Sequence, residues 1–291
     1  MEPLPLPTLF VQPRLPKVTH IVQRGDKLDL REPRPTILGV RASDVLGPLK
    51  EGLCVQHAKL ARRNLLNIDK ILVITAKDDW LNGFIKFVDQ PFAKSVLRLN
   101  FSAVMGPNRS GYHHNEHSVW LDNRAICQTF MKFSLTHGLP AIFHTYLEDS
   151  SVHQDWLVEY LRLNPSQKFI ATGFDCNGTN NDRFVERRIQ LLQEVEGRLD
   201  RKLHVVLHTL MTNLRLIKYA YDAFPKRIYL LGQSVVRDSF MGTSLRFSTK
   251  GASMRTYRDP NFKPGLSLFN WNSARLNDAL ASFIPDFFDD F

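Results

Sequence analysis

Short apolar runs that each end in a polar or charged residue recur along this chain at fairly even intervals. The seven clearest runs are 36–41, 71–78, 96–102, 141–146, 168–175, 204–209 and 228–233, and a weaker eighth is 266–270. Most of them are separated by enough residues for one helix. This alternation predicts parallel strands with crossover helices, and seven or eight such units predict an α/β fold that closes into a (β/α)8 barrel.

The length of 291 residues fits one such barrel domain, since ~250 residues is typical. Seven prolines and few periodic apolar residues in 1–35 predict an N-terminal extended arm. We expect the barrel domain to span 36–283 and to be followed by an acidic, aromatic C-terminal tail at 284–291. The clearest helix is predicted at 179–200, where Thr179 and Asp182 have the spacing of a capping box. Arg188 of this helix is expected on its solvent-exposed side.

Bulk properties limit the compartment and the partners. No apolar run approaches the ~20 residues that cross a bilayer, and the N-terminus lacks the features of a secretory signal. Three widely spaced cysteines favour a reducing, cytoplasmic location. The formal charge of +9 favours a polyanionic partner, with nucleic acid ahead of a membrane surface. An excess of solvated lysines and arginines is the alternative explanation.

The segment 237–263 is both basic and aromatic. Five basic residues in it are candidate nucleic-acid ligands: Arg237, Arg246, Lys250, Arg255 and Arg258. Aromatic residues such as Phe247 and Tyr257 lie between them, as in sites where phosphates pair with charge and bases stack on rings. The alternative is a long loop that covers the barrel mouth with its aromatic side chains packed inward.

The tail 284–291 reads IPDFFDDF and resembles the acidic, phenylalanine-terminated tails with which single-stranded-DNA-binding proteins recruit partners. Such a tail predicts a protein partner. The alternative is a terminal segment folded onto the chain's own surface.

A barrel of this kind brings the residues at its strand ends to one mouth. On this basis the candidate site residues are Arg41, Asn100, Ser102, His144, Asp175, His208 and Gln233. We expect Asp175, His144 and His208 to be catalytic, and the other four to bind substrate. A carboxylate in a partly dry mouth can act as nucleophile, general base or acceptor for a purine edge. Alternatively, Asp175 caps its own loop, and the histidines are core residues.

The histidines also allow a metal site. His144, Asp175 and His208 have the ligand types of a metal-dependent hydrolase with an open position for water. The sequence lacks a phosphate-binding loop, a dinucleotide fingerprint and a hydrolase nucleophile elbow, which argues against those three enzyme classes.

Two segments resemble tRNA-guanine transglycosylases. Residues 168–176, KFIATGFDC, are similar to the family strand that ends in Phe-Asp-Glu-Cys, and 227–236, RIYLLGQSVV, are similar to its glycine-bearing strand near the base pocket. The resemblance implies a barrel that exchanges a base in tRNA or, as in phage relatives, in DNA. It places Asp175 at the base pocket as an acid/base group. Cys176 follows Asp175 without the family's intervening glutamate, and the family's zinc cysteines are absent.

The leading hypothesis is therefore a cytoplasmic barrel transferase that acts on a base or nucleotide in nucleic acid, without a metal ion or cofactor. Two alternatives remain. One is the metal-dependent hydrolase, and the other is a non-catalytic DNA-associated protein that recruits partners through its tail.

Overall fold

A computed structural model describes residues 11–22, 37–49, 52–75, 78–108, 117–145, 147, 149–173, 182–209, 212–232, 239, 243–248, 253–258 and 266–289. The strands are β1 (Val18–Val22), β2 (Ile37–Arg41), β3 (Leu46–Leu49), β4 (Gly52–Val55), β5 (Asp69–Thr75), β6 (Phe101–Asn108), β7 (Ala141–His144), β8 (Phe169–Gly173), β9 (His204–His208), β10 (Ile228–Gly232), β11 (Thr243–Ser248) and β12 (Ser253–Arg258). The helices are α1 (Ala42–Val45), α2 (His57–Ala61), α3 (Asp78–Phe87), α4 (Gln90–Arg98), α5 (His117–Thr136), α6 (Ser151–Leu163), α7 (Asp182–Gly197), α8 (Leu214–Ala223) and α9 (Leu266–Phe283).

Eight of the strands form a closed, all-parallel barrel in the order β1-β10-β9-β8-β7-β6-β5-β2. β1 closes the ring, because it pairs with β10 on one side and with β2 on the other. The chain therefore has the (β/α)8 barrel fold, as the sequence predicted. In the described part of the chain, no helix has the length and apolar character to cross a membrane.

The eighth strand lies in an unexpected part of the sequence. β1 is inside the segment 1–35, so the expectation that the barrel starts near Thr36 is wrong. The run 266–270 is the start of helix α9 rather than a strand. Its buried side chains recur at helical spacing when the whole element is considered, as at Phe269, Leu276 and Leu280. A five-residue window is too short to separate the two periods.

The predicted position of β6 is also wrong. The run 96–102 predicted a strand, but α4 continues to Arg98 and the chain then turns at Asn100, which has a positive φ of 54°. β6 begins only at Phe101. The prediction failed because Val96 is buried on the apolar face of α4 and was counted as part of the strand.

The protein has two hydrophobic cores. One fills the barrel lumen with side chains from alternate strand positions, and a larger one lies between the strands and the helices. The lumen core consists of Ile21, Ile71, Val73, Ala103, Met105, Ile142, Phe169, Ala171, Val206 and Leu231. The lumen is therefore a packed core and not an open channel.

Beneath the lumen, an ion pair joins α7 to the start of β10. Glu196 and Arg227 are both at least nine-tenths buried, and Arg227 Nη2 donates to Glu196 Oε1 (3.1 Å). Burial alone would raise the pKa of Glu196, but hydrogen bonds from Arg227 and from the Leu203 amide leave the pKa below its usual value. This pair stabilises the end of the barrel opposite the mouth.

The C-terminal segment folds onto the barrel as far as Asp289. Phe287 is fully buried, its ring centroid lies 5.9 Å from that of Tyr221, and the Tyr221 hydroxyl donates to the Asp286 carbonyl (3.2 Å). This favours the packed alternative for 284–289, whereas Asp290 and Phe291 lie outside the described residues.

The barrel closure gives a stability prediction. A Cβ on Gly39 of β2 would lie 2.8 Å from Ile21 Cγ1 and 3.3 Å from the Ile21 backbone on β1. We expect Gly39→Val to lower the free energy of unfolding by about 1–3 kcal/mol through overpacking. Urea denaturation measures the change. Gly83→Ala is the control, because nothing lies within 4 Å of its added Cβ and alanine favours helix α3. Equal midpoints for wild type and Gly39→Val would contradict this account of the contact between β1 and β2.

His20 of β1 gives a pH prediction. Its side chain is 4% exposed, its Nε2 lies 2.8 Å from Ser273 Oγ on α9, and burial lowers its pKa to about 4. The unfolded chain therefore binds more protons than the folded one between pH 6.5 and 4, so stability is full above pH 6.5 and falls as the pH drops through this window. Between pH 7 and 5.5, we expect His20→Gln to lose about 1 kcal/mol less stability than wild type. Urea titrations at both pH values test this, and equal losses would contradict it.

Candidate active site

Four consecutive strands of the barrel, β6 to β9, end in residues that meet at one side of the mouth. These residues are Asn108, His144, Gly173 and His208. The pairing of β6 with β5 explains why the Asn108 side chain reaches the mouth. Val73 pairs with Met105, but Thr75 pairs with Asn108, so β6 contains one extra residue. Such a bulge reverses the side-chain alternation beyond it and turns Asn108 toward the lumen.

Asn108 fixes the orientation of His208. Its amide nitrogen Nδ2 donates to Nδ1 of His208 (3.2 Å), so the neutral imidazole carries its proton on Nε2. His208 is 3% exposed. In this tautomer neither ring nitrogen has a lone pair available for a metal ion, which does not favour the metal-ligand role.

His144 lies opposite His208. The ring centroids are 6.5 Å apart and the planes are nearly perpendicular, at 87°. His144 is 1% exposed. Burial lowers its pKa well below the usual value, and His208 and Arg188 lower it further. His144 is therefore a neutral imidazole at physiological pH.

Gly173 lies beside the side chains that meet at the mouth. It ends β8, between the strands of the two histidines. A Cβ at this position would lie 3.6 Å from Asn108 Nδ2 and 3.7 Å from His144 Nε2. These are ordinary contact distances, so Gly173 lies directly beside both side chains.

Arg188 supplies the positive charge beside His144. The sequence placed it on the solvent side of α7, but it is only 8% exposed. Its guanidinium donates to the Gly173 carbonyl and lies 4.2 Å from the centroid of the Phe184 ring. The expectation failed because a long side chain can fold back from a helix surface, and the periodicity reports only where Cα lies.

Arg41 ends β2, across the mouth from β8 in the strand order. It is half-buried, and among the described residues its Nε has no hydrogen-bond partner. Thr145, which follows His144, is also buried, and among the described residues its hydroxyl has no hydrogen-bond partner. The Arg41 side chain can take up a polar group of a ligand at the mouth.

Two predicted mouth residues lie at the opposite end of the barrel. Asn100 precedes β6, and Ser102 is the second residue of that strand, where its hydroxyl donates to the Lys70 carbonyl (3.2 Å). The expectation that they line the mouth is wrong, because β6 starts where the sequence placed its end. Asn108 occupies the position that they were expected to fill, and the run 101–108, apolar and closed by asparagine, could have identified it.

Several predicted residues cannot be placed. Asp175, Gln233, Arg237 and Lys250 lie outside the described residues, as does the side chain of Arg258. Within the ranges that are described, no three His, Cys, Asp or Glu side chains come together as a metal site.

The segment 237–263 contains an antiparallel hairpin, β11–β12, in the connection that follows β10. The amide of Met254 donates to the carbonyl of Thr212, beyond the end of β9 (2.8 Å), so the hairpin borders the mouth. Arg246 and Arg255 are directly opposite each other across the strands, and Tyr257 lies on the same face. All three are exposed, and the Arg246 guanidinium lies 5.3 Å from the centroid of the Tyr257 ring.

Comparisons with known proteins find a distant structural similarity and no relative in sequence. No protein-family model matches the sequence, and no curated protein is similar to it. Among solved structures, the chain is similar to a Coccidioides immitis protein provisionally assigned as a deoxyribose-phosphate aldolase. Identity is 15%, the TM-score is 0.41, and the match covers 80% of this chain and 88% of that one. The barrel assignment rests on the strand order and register of this chain itself.

The Asn108–His208 contact leads to a spectroscopic prediction. Asn108→Ala removes the donor to Nδ1, so we expect His208 to change from the single Nε2–H tautomer to a mixture of tautomers. Long-range ¹H–¹⁵N correlation spectra of the imidazoles measure this. Asn164→Ala is the matched control, because it removes a buried amide that donates to the Tyr160 carbonyl (2.7 Å), away from the mouth. An unchanged His208 spectrum in Asn108→Ala would show that the contact does not set the tautomer.

Proposed function

We propose that the protein is a barrel enzyme that transfers protons during reaction at a base or nucleotide of nucleic acid. The observation that carries the proposal is the pair of buried neutral imidazoles, His144 and His208, at the C-terminal mouth of the barrel. Catalytic groups of such barrels lie at this end.

The two histidines have different roles in this proposal. His208 presents its Nε2–H as a fixed hydrogen-bond donor, because Asn108 occupies Nδ1. His144 is neutral, because burial lowers its pKa well below the usual value, and a neutral imidazole nitrogen can accept a proton. When one group displaces a base from a sugar, a proton must pass from the incoming group to the departing base. His144 can take and return that proton.

Positive charge at the mouth suits an anionic substrate. Arg188 and Arg41 approach it from opposite sides of the barrel, and the guanidinium is well suited to phosphate. Asp175, two residues beyond Gly173, is proposed as the carboxylate that reads or protonates the base, and base exchange is the proposed reaction. The exposed arginines of the β11–β12 hairpin, beside the mouth, would hold the backbone of the nucleic acid.

Variants at the mouth test the proposed function. We expect His144→Gln and His208→Gln each to lower base release or exchange by about 10²–10⁴-fold, because each removes a positioned proton-transfer or donor group. Asp175→Asn belongs in the same series. The assay uses single-stranded DNA, duplex DNA and tRNA with labelled bases.

His57→Gln is the control for these variants, because His57 is an exposed histidine on α2, which precedes β5 and so lies away from the ends of β7 and β9. Comparable thermal midpoints for all variants would show that losses are not due to unfolding. Full activity in both mouth variants, or no activity of the wild type on any of the three substrates, would overturn the proposal.

A further inference from the structure

A cavity of about 560 Å³ lies between the β11–β12 hairpin and helix α9, outside the barrel mouth. Ligand sites usually measure roughly 300–1,000 Å³. Leu245 and Met254 form its buried floor. The Leu245 amide donates to Asn272 Oδ1 on α9 (2.7 Å), and Asn272 in turn donates to Ser239 Oγ (2.8 Å). The hairpin and the helix are thus held together by buried hydrogen bonds, and the cavity between them has a fixed floor.

The walls of the cavity combine aromatic rings with charge. Phe247, Trp271 and Phe283 line it, together with Arg275 and Asp278. Phe247 is 47% exposed, which leaves a large apolar ring in contact with water. The Arg275 guanidinium lies 5.1 Å from the centroid of the Trp271 ring. Aromatic rings beside an arginine and a carboxylate fit a planar, polar-edged group such as a nucleobase, which stacks on rings and donates hydrogen bonds to carboxylates.

The opposite face of the same hairpin carries the charge that a nucleic acid backbone requires. Arg246 and Arg255 form a directly opposed pair across the strands. Like charges in that position repel each other, and an anion between them would reverse the effect. Arg246 also lines the cavity, so phosphates on the arginine face and a base in the cavity can belong to one strand.

We propose that the cavity between the hairpin and α9 binds a base of single-stranded nucleic acid, while Arg246 and Arg255 hold the flanking phosphates. This proposal deepens the proposed function by naming a binding subsite for its substrate class. It rests on that function only in taking nucleic acid as the partner, and it requires no catalysis.

The test separates bases from phosphates. A labelled decathymidylate and a ten-residue abasic deoxyribose-phosphate strand carry the same backbone, and fluorescence anisotropy measures the affinity of the protein for each. We expect the decathymidylate to bind about 5- to 100-fold more tightly, as the stacking of one base implies. Trp271→Ala should abolish most of this preference, whereas Trp271→Phe should retain it, because phenylalanine keeps an aromatic face. Thermal midpoints equal to wild type would show that both variants fold.

Arg255→Ala is the matched variant for the phosphate contacts. It should weaken the binding of both probes by the same factor and leave the preference for bases unchanged. Equal affinity of the wild type for the two probes, a preference unaffected by Trp271→Ala, or no binding of either probe would each overturn the proposal.

The base-release assay distinguishes this proposal from the proposed function. His57→Gln should bind both probes as the wild type does, since His57 is an exposed residue of α2, which does not line the cavity. A wild-type protein that prefers the decathymidylate but shows no base release or exchange would support the subsite and overturn the proposed enzyme activity.

Discussion

The pairing of β1 with both β10 and β2 is the constraint on which the rest of the structure depends. An open sheet of seven parallel strands would leave two edges with unpaired backbone groups and would allow the strand ends to splay. Closure removes both edges and fixes the tilt and stagger of every strand. Only then do the ends of β6 to β9 converge closely enough for Asn108 to reach His208. The mouth is therefore a consequence of a five-residue strand on the far side of the ring.

The electrostatics of the mouth follow from burial. His144 is surrounded by packed side chains and has Arg188 beside it, so protonating its ring would add a cation next to another cation in a poorly solvated place. The neutral imidazole is the low-energy state of His144. The Arg188 guanidinium, which is always charged in proteins, donates to the Gly173 carbonyl and lies over the Phe184 ring. A negative group that enters the mouth would therefore meet fixed positive charge beside an uncharged imidazole.

Much of this arrangement could be predicted from the sequence, and the failures have physical causes. The strands that end at His144 and His208 were found because strands buried on both faces read as continuous apolar runs. β1 was missed because five residues between prolines carry too little pattern. The sequence placed β6 too early because the apolar face of α4 directly precedes this strand. As a result, Asn100 and Ser102 were predicted at the mouth, and Asn108 was not. No sequence pattern could have shown a bulge, or a buried arginine such as Arg188, since both depend on contacts between distant elements.

The net charge of +9 indicates a polyanionic partner only if the basic side chains are also gathered on one surface. Many of the basic side chains are already engaged inside the fold. Arg227 pairs with buried Glu196, and Arg187 contacts both Asp149 and Glu194 at 2.7 and 2.8 Å. Arg215 contacts Asp182 and Glu186. These pairs explain part of the basic composition without any ligand. The hairpin differs from them because the residue opposite Arg246 across its strands is another arginine. Charge that the fold brings together with like charge at the rim of the mouth is the part of the excess on which the proposed nucleic-acid partner rests.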